Sequence, residues 1–185
     1  MEKKPEIRVY AGPNGSGKST FTELLGAFGE YINADEIKKQ FSCSDLQAAQ
    51  IAEQLREESV SAKIDFSFET VLSTDRNLNL LRHAKEQGYF IKVFYVLTKT
   101  PQINVGRIKS RVIGGGHPVP EEKIISRYHK ALGLLPELIE ICDVIHIYDN
   151  SVGFERIFKK RKDEVFIFET DVWSKFDIEK LVITN

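Results

Sequence analysis

The order of apolar segments along the 185 residues predicts an α/β fold. The expected form is a three-layer sandwich: a five-stranded, mainly parallel sheet, helices on both faces, and a C-terminal β-hairpin. Three observations predict it. Short β-branched or aromatic runs alternate with helical segments, as in parallel strands joined by crossover helices. The first run leads straight into a glycine-rich loop that opens a helix. No linker, repeat or low-complexity stretch interrupts the chain, so a single domain over residues 1–185 is expected.

The elements follow in order. Ile7 to Ala11 is the first strand, and Ser19 to Phe28 reads as a helix closed near Gly29. Tyr31 to Asn33 is a second short strand, and Ala34-Asp35 opens a helix to about Gln40. Ser44 caps a longer helix to Lys63, whose apolar face includes Leu46, Ala49 and Leu55. Phe66 to Thr70 is the third strand; Thr74 or Asp75 caps a helix ending at Gln87 before Gly88. Phe90 to Leu97 is the clearest buried strand. Proline in the first turn marks two further helices, Thr100 to Ile113 and Pro120 to Ile141. Val144 to Tyr148 is the fifth strand. Phe154 to Phe158 and Val165 to Phe168, separated by the charged segment Lys159 to Glu164, form the hairpin. Asp171 or Ser174 caps a short last helix ending near Leu181.

Composition excludes several classes. Formal net charge is −1, so no global attraction to nucleic acid or anionic lipid is expected, and an anion site must be built locally. Cys43 and Cys142 lie in no metal-ligand spacing and read as free thiols of a reducing compartment. The first residues hold no apolar leader, and no run is long enough to span a membrane. A cytoplasmic enzyme is the expectation.

The segment Gly12-Pro13-Asn14-Gly15-Ser16-Gly17-Lys18-Ser19 matches G-x-x-x-x-G-K-[ST] in full, with Thr20 directly behind it. Glycines let backbone amides turn inward as an anion nest, and the following helix adds its positive end. Lys18 is placed for the β- and γ-phosphates of ATP, and the Ser19 hydroxyl for Mg²⁺. Between an apolar strand and a helix, this pattern is specific for a nucleoside triphosphate.

Ligands of open parallel sheets bind at the carboxyl ends of the strands. Asp35 and Glu69 fall there. Asp35 suits the carboxylate that orients an acceptor hydroxyl and takes its proton; a helix N-cap is the competing reading. Glu69 stands in an otherwise apolar strand, where a carboxylate needs a partner: an arginine, or substrate or metal-bound water. Thr70 and Ser73 are potential donors in the same pocket. Further on, Arg107 and Arg111 lie four apart on one helix face, before Gly114-Gly115-Gly116-His117. Arginines that close on transferring phosphate stabilise its charge, and the glycines offer a lid hinge. Arg127 has a similar claim, and His117 reads as a phosphate or substrate contact or as an incidental loop residue. The alternative for the whole segment is a solvated basic face.

Together these blocks resemble the zeta-toxin-like P-loop kinases: Gly12 to Thr20, Ile32-Asn33-Ala34-Asp35-Glu36-Ile37, Phe68 to Ser73, and Arg107 to Pro120 with one additional glycine. The resemblance spans about residues 7 to 150. It implies a kinase-like P-loop fold and ATP-dependent phosphorylation of a hydroxyl. In the toxins the acceptor is UDP-N-acetylglucosamine, and a small helical antitoxin is the partner. It assigns Lys18 and Ser19 to nucleotide and Mg²⁺ and Asp35 to the catalytic base. It puts Glu69 and Thr70 in the substrate-binding strand and makes Arg107 or Arg111 a phosphate-binding arginine. The chain departs from the toxins in being short and in reading Val71-Leu72-Ser73 where they often carry an arginine.

The leading expectation is therefore a phosphotransferase acting on a small-molecule alcohol, with a nucleotide sugar as one acceptor. The alternative is an ATPase or nucleotide-dependent switch acting on a protein partner, for which Asp149 is the only second acid in reach. Nucleic acid is not expected as a partner, since the run Lys159-Lys160-Arg161-Lys162 reads as a solvated hairpin turn.

Overall fold

The structure is a computed structural model that describes residues 3–115 and 118–183. Its strands are β1 (Glu6–Ala11), β2 (Glu30–Ile32), β3 (Phe66–Thr70), β4 (Phe90–Leu97), β5 (Val144–Asp149), β6 (Glu155–Arg161) and β7 (Glu164–Ile167). They form one sheet in the order β2-β3-β1-β4-β5-β6-β7. The first five run parallel, and β6 and β7 are antiparallel additions. The helices are α1 (Lys18–Leu25), α2 (Ala34–Phe41), α3 (Asp45–Ala62), α4 (Arg76–Glu86), α5 (Pro101–Ile113), α6 (Glu121–Gly133), α7 (Leu135–Ile141) and α8 (Lys175–Val182).

The expected sheet of five strands has seven. The hairpin is not a separate appendage, because β6 pairs with the outer edge of β5, from Val144–Arg161 to Asp149–Glu155, with a register shift at Ile147/Tyr148. That pairing satisfies backbone groups that β5 would otherwise leave open. The hairpin turn is also shorter than expected. Lys159, Lys160 and Arg161 belong to β6, and the turn is Lys162-Asp163, with Lys162 at φ 53°.

Two helices also differ from expectation. The segment from Pro120 to Ile141 is two helices broken at Leu134, because Gly133 weakens the helix and Pro136 has no N–H to continue it. The first helix ends at Leu25, where Gly26 turns out at φ 79°.

One face of the sheet packs through Ile7, Val9, Phe66, Phe68, Ile91, Val93, Ile145 and Ile147 against α3, α4, α7 and α8. The opposite face packs through Tyr10, Phe94 and Val96 against Phe21 of α1. Phe21 sits 4.6 Å from the Tyr148 ring and 5.0 Å from Phe154. Truncating such a buried aromatic costs about 3–5 kcal/mol, so this cluster fixes α1, and with it the glycine-rich loop, on the sheet. Among the described residues no helix is long and apolar enough to cross a membrane.

Candidate active site

The loop between β1 and α1 is held from both sides. Gly12 N–H donates to the Thr70 carbonyl at the end of β3, and Asn150 Nδ2, just past β5, donates to the Ser16 carbonyl at 2.8 Å. Gly17, at φ 98°, leaves no room for a side chain, since a Cβ there would collide with Asn150 Nδ2. The same holds at Gly12, at φ 139°, against the Val96 carbonyl. The amides of Lys18, Ser19 and Thr20 open α1 ahead of its first helical bond, from Phe21 N–H to the Gly17 carbonyl, and so face outward as donors. Asn14 Oδ1 and Ser16 Oγ are buried with no partner among the described residues. Inward-turned glycines, donor amides and the unpaired Ser16 hydroxyl, which can donate, are what a polyphosphate would satisfy.

Lys18 folds back across this loop and donates to the Pro13 carbonyl at 3.1 Å. Burial pulls its pKa down to about 8; Arg111 adds to the fall, while Glu69 and Asp35 oppose it.

A cleft of about 540 Å³ opens over the loop. Asn14, Gly15, Gly17, Lys18, Ser19 and Thr20 form its floor, and Asp35, Glu69, Thr70, Arg107, Arg111 and Asn150 stand in its walls. The fold thus brings most of the expected residues to one place. Ser73 and Arg127 do not line it, and His117 and Gly116 lie outside the described residues.

The acidic wall is a hydrogen-bonded chain. Ser19 Oγ donates to Glu69 Oε2 at 2.9 Å, and Tyr31 OH donates to Glu69 Oε1 at 2.9 Å. Asn33 Nδ2 donates to Tyr31 OH at 2.7 Å, and Asn33 Oδ1 accepts from Asp35 N–H at 2.8 Å. Asn33, not Asp35, therefore caps α2, which leaves the Asp35 carboxylate in the first turn facing the cleft. Glu69 pairs with hydroxyls and not with an arginine. Burial pushes the Tyr31 phenol above its ordinary pKa, with Glu69 adding to the rise, so Tyr31 stays protonated as a donor. Thr70 Oγ1 accepts from Leu72 N–H and Asn77 Nδ2, fixing the turn after β3, where buried Leu72 takes φ 54°. Asp75 starts α4 without a side-chain capping bond.

Arg107 Nη2 donates to the Asn150 carbonyl at 2.6 Å and the Ser151 carbonyl at 3.3 Å, so it anchors the loop that braces Ser16. Asp149, the acid the switch reading requires, is 1% exposed. Its carboxylate accepts from Ser151 N–H and Oγ, and it does not line the cleft.

Tyr31, Asn33 and Asn150 escaped the sequence reading. Asn33 had a local signal, an asparagine between a strand and a helix. Tyr31 and Asn150 had none, because their partners are 38 and 134 residues away.

The profile of the zeta toxin family matches residues 1–172. The chain belongs to the zeta toxin family. It is accordingly a P-loop kinase. An uncharacterized protein of Haemophilus influenzae is 33% identical over 125 residues, 64% of this chain and 89% of that protein. Among solved structures, the PezAT chromosomal toxin–antitoxin system of Streptococcus pneumoniae superposes with TM-score 0.59 at 18% identity. That match covers 98% of this chain and 84% of the other. The AvrRxo1-ORF1:ORF2 complex with ATP superposes with TM-score 0.71 at 11% identity, over 97% of this chain and 64% of that one. At those identities the two structures speak for the fold.

A second cleft, about 480 Å³, lies between α3 and α4 and is lined by Glu53, Arg56, Arg76, Asn77 and His83 among others. Asn77 links it to Thr70 and the phosphate cleft. Arg56 lies 4.9 Å over the Phe68 ring, and its buried Nε has no hydrogen-bond partner among the described residues.

Proposed function

We propose that the protein transfers the γ-phosphate of ATP to a hydroxyl of a small molecule, with a nucleotide sugar such as UDP-N-acetylglucosamine as the acceptor class. The observation that carries this reading is the convergence of Lys18, Ser19, Asp35, Glu69 and Arg111 on one cleft. The loop amides and Lys18 hold the triphosphate. Ser19 Oγ and the carboxylate of Glu69 suit Mg²⁺, which takes one or two carboxylates together with substrate phosphates. When bound, the ion neutralises charge on the β- and γ-oxygens. Asp35 accepts the proton of the acceptor hydroxyl as its oxygen attacks the γ-phosphorus. The bond from that phosphorus to the β–γ bridging oxygen breaks and ADP leaves. Arg111 stabilises charge on the transferring group. Arg107 keeps the Asn150 loop, and so the phosphate floor, in place. The α3–α4 cleft is the proposed seat of the acceptor's remote part, with Arg56 able to meet an anionic group.

An antitoxin partner is part of the proposal, supported by family membership and by the likeness to the PezAT system. The free thiols of Cys43 and Cys142 and the use of ATP favour the cytoplasm. The test is incubation with Mg²⁺-ATP and a panel of nucleotide sugars and small alcohols, read by mass spectrometry. A phosphorylated acceptor is expected. ATP hydrolysis with every acceptor unchanged would overturn the kinase chemistry in favour of the switch.

A further inference from the structure

Strand register arranges side chains on the α1 side of the sheet into rows, since paired residues share a face. One row runs Tyr10, Phe94, His146, Lys159, Phe166 across β1, β4, β5, β6 and β7. The next, toward the strands' N-terminal ends in β1 and β4, runs Arg8, Lys92, Val144, Arg161, Glu164. Helix α1 covers Tyr10 and Phe94 through Phe21. Beyond them Lys159 is half-buried and Phe166 is 43% exposed.

Among the described residues the cations on this face outnumber its carboxylates, Glu6 and Glu164. Arg8 pairs with Glu6 at 2.6 Å and lies 3.8 Å over the Phe28 ring. Lys92, Lys159, Arg161 and Arg156, which faces the same way beside Tyr148, have no carboxylate partner among the described residues. Lys92 and Lys159 rest over Phe94 and Phe166. His146 is encircled: burial, then Lys92, Arg156 and Lys159, drive its pKa down to about 4, and its Nδ1 is buried without a partner among the described residues. Like charges brought together on one face repel. They are concentrated here in a chain of net charge −1, a local positive field that Glu6 and Glu164 offset only in part.

We propose that this face binds single-stranded nucleic acid, its phosphates following Arg8, Lys92, Arg161 and Lys159 and a base resting on Phe166. Adjacent strands are about 4.8 Å apart, so Arg8 and Arg161, three strands apart, mark a basic track of about 14 Å. Such a track beside an exposed ring matches the way single strands are held without sequence readout, by charge along the backbone and stacking of bases. An acidic peptide would meet the cations but would not require the ring. The surface is separate from the phosphate cleft, and the proposal does not depend on the kinase chemistry.

The test is fluorescence anisotropy with a short labelled oligothymidylate across a salt series, using the full chain. Binding that weakens steeply with salt is expected. Lys92→Gln/Lys159→Gln should lower affinity by about tenfold at low salt. Phe166→Ala should lower it by about fivefold or more while leaving heparin binding unchanged. ATP binding by each variant reports that the fold is intact. Absence of salt-dependent binding, or binding indifferent to the lysine pair, would overturn the proposal. So would an unchanged affinity in Phe166→Ala, or stronger binding of a polyglutamate peptide than of the oligonucleotide.

Discussion

The Ser19 hydroxyl donates to the Glu69 carboxylate at 2.9 Å, across fifty residues of sequence. This bond ties the first turn of α1, which carries the phosphate loop, to the end of β3. The second oxygen of the same carboxylate is held by Tyr31, so Glu69 is oriented before any nucleotide arrives.

Orientation of Glu69 by Tyr31 predicts a metal-specific defect. Tyr31→Phe keeps the ring but leaves Glu69 Oε1 and Asn33 Nδ2 unpaired, a loss of about 1–2 kcal/mol. The Mg²⁺ concentration for half-maximal activity should rise about five- to thirtyfold. Nucleotide affinity in EDTA should not change. An unaltered Mg²⁺ dependence would remove Tyr31 from the account.

Lys18 predicts a proton uptake. Its folded pKa is lowered to about 8, against about 10.4 in an unfolded chain. Between those values the unfolded chain holds the proton that the folded chain has released, so the apo fold gains stability as pH rises through the window. Phosphates restore the charge on Lys18, so ATP binding above pH 8 should take up a proton, and affinity should fall as pH rises from there. Calorimetry in two buffers of different ionisation enthalpy measures this. Equal heats at pH 9 would contradict it.

Arg107 and Arg111 should separate kinetically. Arg107 is engaged by the carbonyls of Asn150 and Ser151. Arg107→Ala should therefore weaken ATP binding by loosening the brace on Ser16. Arg111→Ala should leave ATP affinity within a few-fold and lower kcat by about a thousandfold. The reverse assignment of the two effects would exchange their roles.

The hairpin turn predicts a stabilising substitution. Lys162 is exposed at φ 53°, the first position of a two-residue turn that favours glycine. Lys162→Gly should stabilise by about 0.5–1 kcal/mol, a Tm rise of about 1–4 °C. A lower Tm would show that the unfolded chain's added freedom outweighs the relief of strain.

Local pattern was enough to draw β3 and β4 to the residue, because Phe66–Thr70 and Phe90–Leu97 are compact apolar runs bounded by turns. It was also enough for the strand–loop–helix setting of the glycine-rich segment, which resides in consecutive residues. What it missed depends on pairing at a distance. Nothing near Glu155 says that β6 completes the edge of β5. Nothing near Lys159 says that it belongs to a strand facing His146. The break at Leu134 rests on Gly133 and Pro136, a local signal that a single helix from Pro120 to Ile141 leaves unused. Asp35 and Glu69 were recognisable by type and position, whereas their setting, Tyr31 and Asn33, needed the juxtaposition of β2 and β3.

The central claim is that Asp35 serves transfer and not nucleotide binding. Asp35→Asn, compared with the parent for ATP affinity and for phosphate transfer to an accepted acceptor, tests it directly. ATP affinity within about twofold and transfer lowered by about a hundredfold or more is the predicted result. Equal loss of binding and transfer, or transfer at the parental rate, would contradict it.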